Sequence, residues 1–95
     1  MAYARITKFK MKPDAIDEAV ARLEGMKDKI MGMPGVLQFI NAANDDGTGY
    51  VVSIVESKEI AEANTEALMA VWGAFADLLE GIPTPEGFEL RANWS

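Results

Sequence analysis

The side chains that most often carry catalysis are scarce in this sequence. None of its 95 residues is histidine or cysteine, which excludes disulfides, zinc-thiolate sites and histidine-based triads within the chain. Planar donors and phenols remain. Arg5 and Arg91 sit in alternating segments near the two ends of the chain. Either guanidinium can hold an anionic or phenolate oxygen through its fork, or close a salt bridge. Asn41 and Asn93 are short amides in strand-like segments, able to position a substrate oxygen or to satisfy a backbone group. Tyr3 and Tyr50 can offer a hydroxyl to a cleft, or pack their rings and leave the oxygen to water. Trp72 falls at the margin of an apolar helical stripe, as core or as cleft wall. Glu56 and Glu89 are the carboxylates nearest strand ends, but no acidic pair has a diagnostic spacing for acid–base work. Asn44–Gly47 reads NDDG, which has the composition of a calcium loop without its twelve-residue pattern or closing glutamate, and reads as a hairpin turn. Arg5, Asn41, Tyr50 and Trp72 are therefore the candidate catalytic residues, and Tyr3, Phe39, Val55, Arg91 and Asn93 the candidate ligand contacts. The sequence offers no metal site and requires no cofactor.

These residues must be placed by regular elements. Residues 2–10 alternate, with Tyr3, Arg5, Thr7 and Phe9 on one face and Ala4, Ile6 and Lys8 on the other, which predicts a strand. Pro13, Asp14, Asp17 and Glu18 suit a helix N-terminus. Ile16, Val20, Leu23, Met26 and Ile30 recur at spacings of three and four, so a helix is expected over residues 13–30. Gly32, Pro34 and Gly35 turn the chain into a second strand, residues 36–42. Asp46-Gly47 then marks a hairpin to a third strand, residues 50–56. Ser57 can cap a second helical region reaching about residue 80, with Leu68, Val71, Phe75 and Leu78 as its stripe, Trp72 and Leu79 widening it, and a break at Asn64 and Thr65. Gly81, Pro83 and Pro85 end it. Residues 88–94 form the last strand.

The order β-α-β-β-α-β is the ferredoxin-like split βαβ arrangement, an α+β fold with a four-stranded antiparallel sheet and both helices on one face. The length suits one domain spanning residues 1–95. Strands two and three carry large apolar residues on both parities: Leu37 and Phe39 oppose Val36 and Ile40, and Val51 and Val55 oppose Val52 and Ile54. A second apolar sheet face on so small a chain is usually covered by another subunit. A homodimer packed sheet against sheet is expected, with a cleft between the sheet and its partner as the natural site for a small apolar or aromatic ligand. The indole of Trp94 would pack on that seam.

Nine basic and fifteen acidic residues leave a net charge of −6. Such a chain is repelled by nucleic acid and by anionic lipid. Lys8, Lys10 and Lys12 form one local basic stripe, best read as a solvated strand edge. No apolar run approaches the length of a membrane span, and the N-terminal residues lack the apolar core of a signal peptide. A cytoplasmic protein is expected.

The segments ARITKFKMKP (Ala4–Pro13), GMPGVLQF (Gly32–Phe39) and GYVVSIVESKE (Gly49–Glu59), with an aromatic-bearing second helix and a closing strand, resemble the antibiotic biosynthesis monooxygenase domain family of the dimeric α/β-barrel group. The resemblance implies homodimers whose two sheets close a barrel, often with exchange of C-terminal segments. Some members oxidise polycyclic aromatic or quinol-type substrates without metal or flavin, others degrade haem, and others have no established activity. Three features of the haem-degrading branch are missing. Arg5 follows Ala4 where that branch has asparagine, Val55 stands where it has tryptophan, and no histidine is present to ligate iron. The resemblance thus implies a cofactor-independent monooxygenase-like oxidoreductase. The alternative is a non-catalytic small-molecule-binding or accessory protein on the same fold.

Overall fold

The computed structural model describes all residues from Met1 to Ser95. The strands are β1 (Tyr3–Lys10), β2 (Val36–Ala43), β3 (Thr48–Val55) and β4 (Glu86–Glu89). They form one antiparallel sheet in the order β2-β3-β1-β4, as the ferredoxin-like reading requires. The helices are α1 (Ile16–Gly25), α2 (Lys27–Met31), α3 (Lys58–Ala63) and α4 (Thr65–Gly73), with a 3-10 turn at Pro13–Ala15.

Register assigns the faces. Arg5 pairs with Ser53, Thr7 with Val51, and Phe39 with Ser53. These odd-numbered residues face the helices, where Phe9, Met11 and Val51 join Trp72, Phe75, Leu78 and Leu79 in the core. The other face carries Ile6, Val52, Ile54, Ile40 and Phe88, and none of this chain's helices covers it. The two β-strands flanking the hairpin meet at Asp46-Gly47 as expected. Gly47 has φ +92°, and a side chain there would collide with the Met11 carbonyl, so the close docking of the turn on the end of β1 requires glycine. Asp46 completes the turn by accepting from the Thr48 amide at 3.0 Å and from its hydroxyl at 2.6 Å. These bonds hold its carboxyl below the usual aspartate value.

Three expectations need correction. The first helix is not continuous: it breaks at Met26, directly after Gly25, where interruption is least costly. Its inward stripe holds at Leu23, Met26 and Ile30 but differs in the first turns. Ala15 and Ala19 are buried, while Val20 is 48% exposed. The second helical region does break at Asn64, whose side chain donates to the Pro34 carbonyl at 2.8 Å, and Ser57 does cap it, accepting from the Ile60 amide at 3.2 Å. It ends at Gly73, however, not near residue 80. The chain goes on in i→i+3 turns, with the Leu78 amide on the Phe75 carbonyl, and Arg22 donates to the Ala74 carbonyl and to Asp77 Oδ1, both at 2.8 Å. The last strand covers Glu86–Glu89, not residues 88–94. Its pairing with β1 stops at Tyr3–Glu89, and Leu90 makes one further bond to the Ala2 carbonyl before the chain leaves the sheet.

The Arg22 clamp is testable. Hydrogen bonding from Arg22 holds the Asp77 carboxyl below its ordinary value of 3.8. A depressed folded-state pKa adds stability above the unfolded value and loses it as pH falls through the folded one. The melting temperature of Asp77→Asn should therefore lie below wild type at pH 7, and the gap should close as pH drops below about 3.8. An unchanged gap at pH 2 would show that the ionised carboxylate is not the source.

Candidate functional site

In the single chain the concave site lies between the sheet and its own helices. The reason is size. Where α1 packs on the sheet it presents Ala19, too small to fill the space bordered by Leu23, Phe39 and Leu68. The result is a groove of three compartments along β2 that share wall residues. A central chamber of about 40 Å³ has ten hydrophobic residues among its eleven, with Asn41 the exception. An outer vestibule of about 360 Å³ lies between β2 and the α1–α2 break, with Glu24 and Lys27 among its residues. An inner chamber of about 30 Å³ is walled by β1–β3 and by α3 and α4, with Arg5, Ser53 and Asn64 as its polar members. Phe39 borders all three compartments.

The structure brings Arg5, Phe39, Asn41, Val55 and Trp72 to this groove. Trp72 is buried, its ring 5.9 Å from that of Phe9 and tilted by 48°. Its Nε1–H has no partner in the fold. Arg5 reaches from β1 to the α3–α4 break, where Nη2 donates to the Ala61 carbonyl at 3.1 Å and to Thr65 Oγ1 at 3.2 Å. Its Nε is also buried and unpartnered. These are the two buried side-chain polar atoms of the protein left without a hydrogen bond, and both are donors. Buried donors are rarely left unpaired in a finished core.

The other candidates stand elsewhere. Tyr3 shares the helix-facing side but lies across Gly87 of β4, where any side chain would strike its ring. Tyr50 pairs with Lys8 and Ala42 on the open face and is half exposed. Arg91 and Asn93 follow the end of β4 and are exposed, and Trp94 is 91% exposed in the single chain. Leu23, Leu68, Met33 and Ser53 line the groove although the sequence marks them only as core or strand residues. The signal for them was Ala15 and Ala19, small residues four apart on the helix face that meets the sheet.

Fold and groove together define a ferredoxin-like α+β subunit with an internal, aromatic-walled slot. No family model and no curated protein sequence matches the chain. Solved structures do match its fold. One is a monooxygenase from the ActVA-Orf6 gene of Streptomyces coelicolor, in complex with nanaomycin D, at 22% identity and TM-score 0.74 over 99% of this chain and 91% of that one. A Nitrosomonas europaea structure assigned as an antibiotic biosynthesis monooxygenase aligns at 14% identity and TM-score 0.77 over 95% and 90%. The haem degrader MhuD of Mycobacterium tuberculosis, with two haems in its active site, aligns at 20% identity and TM-score 0.73 over 98% and 99%. The expected resemblance thus holds at the level of the fold. The groove itself does not fit haem. Histidine, cysteine and tyrosine, the usual anchors of its iron, are all missing from the walls.

Proposed function

We propose that this chain is a cofactor-independent, monooxygenase-like oxidoreductase whose substrate is a small aromatic of quinol type held in the groove. The observation that carries this reading is the unpaired Trp72 Nε1–H in the wall of an otherwise apolar slot. A planar ring satisfies the apolar walls, and an oxygen on that ring satisfies the indole. The names of the structural neighbours from S. coelicolor and N. europaea point the same way. The protein's part is placement, desolvation and donors aimed at the developing oxyanion. The ionised substrate reduces dioxygen directly. One oxygen atom enters the ring system and the other leaves as water, the substrate supplying all four electrons. Asn41, between the central chamber and the vestibule, positions a second substrate oxygen. Glu24 at the vestibule receives the proton on its way to water.

Oxygen uptake with a panel of quinols and anthrones tests this. Stoichiometric dioxygen consumption by the wild type, absent without protein, is expected with at least one ring small enough for the groove. A second reading, binding without turnover, is favoured by one observation: the central and inner chambers contain no carboxylate, imidazole or phenol to act as base. Ligand-induced thermal stabilisation without oxygen uptake would decide for it.

We further infer a homodimer formed sheet against sheet. The isolated chain exposes 5951 Å², against roughly 5,300 Å² expected for a monomer of this mass. Leu37, Tyr50 and Phe88 are each about half exposed. Trp94, in the tail after β4, is 91% exposed in the single chain and supplies further apolar surface for such a contact.

A further inference from the structure

Arg5 is a half-buried cation without a counter-charge. No carboxylate lies within ion-pair distance of it, since the ion pairs of the structure involve Lys10 and Arg22. The two groups it does meet, the Ala61 carbonyl and the Thr65 hydroxyl, are neutral, and both use the same nitrogen, Nη2. Its Nε faces no acceptor. A partner subunit on the open face cannot supply the missing charge, because the sheet stands between that face and the guanidinium. A buried donor left without an acceptor costs free energy, and Arg5 borders the inner chamber, so the unmet Nε–H marks the groove side.

We infer that the inner chamber is an anion subsite, in which Arg5 is the counter-charge for a carboxylate or ionised phenol carried by the aromatic ligand. This rests on the reading of the groove as a ligand site, and adds to it the class of ligand. The inner chamber, at about 30 Å³, is of water size. It takes an oxygen-bearing substituent and no second ring. Phe39, Leu68 and Val71 are shared between the inner and central chambers, so a ring in the central chamber that displaces the Phe39 side chain points its substituent at Arg5. Asn64, the neighbouring polar side chain, has its amide committed to the Pro34 carbonyl. Ser53 adds a hydroxyl that can donate to the same anion. Arg5 thereby selects the ligand and fixes which end enters first, while Trp72 bonds an oxygen on the ring itself.

Calorimetric titration at pH 7 with 2-naphthoate and with the neutral, near-isosteric 2-naphthamide tests the assignment, whatever the natural ligand is. A hydrogen-bonded charge pair predicts that the wild type binds the acid at least about tenfold tighter than the amide. Arg5→Gln should abolish that preference, and Arg5→Lys should keep part of it. Equal affinities in the wild type, or a preference that survives Arg5→Gln, would overturn the anion subsite while leaving the groove intact. Binding of neither compound would overturn both. Should circular dichroism show Arg5→Gln unfolded, the wild-type pair and the lysine variant decide the question.

Discussion

Trp72→Phe should keep the fold and lose ligand, whereas Trp72→Ala should lose the fold. The two outcomes separate what the ring does from what its N–H does. The indole packs on Phe9 at the centre of the core and is almost completely buried. Truncation to alanine removes that packing and leaves a void, at about 3–5 kcal/mol. A domain of this size has only about 5–15 kcal/mol in total. At roughly 4–8 °C per kcal/mol, the melting temperature should fall by tens of degrees. Phenylalanine keeps an aromatic contact with Phe9. Its smaller volume costs on the order of 1 kcal/mol, offset by removal of a buried donor that has no partner. Near-wild-type stability is therefore expected of Trp72→Phe. Its affinity for quinol-type ligands should drop about tenfold, the worth of one hydrogen bond in a dry site. Urea denaturation and calorimetric titration of both variants give the comparison. Undiminished affinity in Trp72→Phe would mean that the indole is simply core.

Ile40→Lys combined with Val52→Lys should turn a dimer into a monomer with little change in the subunit. Ile40 pairs with Val52, and Val52 with Ile6, across the centre of the open face. Ile40 is 45% exposed and Val52 half-buried in the single chain, so the lysines remain solvated there. In a sheet-on-sheet interface two charges per subunit would be enclosed opposite their own symmetry mates. Each unpaired buried charge costs several kcal/mol, enough to dissociate the dimer at micromolar concentration. Sedimentation should show the wild type at twice the chain mass of 10.3 kDa and the variant at the chain mass, with matching circular dichroism spectra. A wild-type monomer at high concentration would remove the dimer proposal. The groove, which lies on the other side of the sheet, would stand regardless.

Much of the architecture was legible because it depends on local rules. Alternation marked β1 to β3, Asp46-Gly47 marked the hairpin, Ser57 the cap and Asn64 the break, since each acts within a few residues of chain. The misplaced boundaries have non-local causes. Residues 74–80 carry a helical pattern, yet the chain there tightens into i→i+3 turns, and the Ala74 carbonyl takes its bond from Arg22, more than fifty positions away. Residues 90–94 alternate like a strand, yet their pairing with β1 ends at Tyr3. Val20 fits the apolar stripe on spacing, yet it is 48% exposed while Ala15 and Ala19 are buried.

The candidate site divides the same way. Residue type alone nominated Arg5, Asn41, Phe39, Val55 and Trp72 along with Tyr3, Tyr50, Arg91 and Asn93, because chemical capacity is a property of the side chain. Parity even grouped Arg5 with Tyr3 on one face. It could not say which face met the helices, since an alternating strand with large apolar residues on both sides is symmetric to that choice. The fold broke the symmetry: burial of Phe9 and Val51 against Trp72 put Arg5 and the exposed Asn41 on the helix side of the sheet and Tyr50 on the open side. By itself the amino-acid sequence determined the element order, the two-sided apolar sheet and the absence of histidine and cysteine chemistry. Only the tertiary structure decided that a groove opens between the sheet and its helices, and that two of the donors bordering it are left unpaired, because both depend on how far apart the packed layers come to rest.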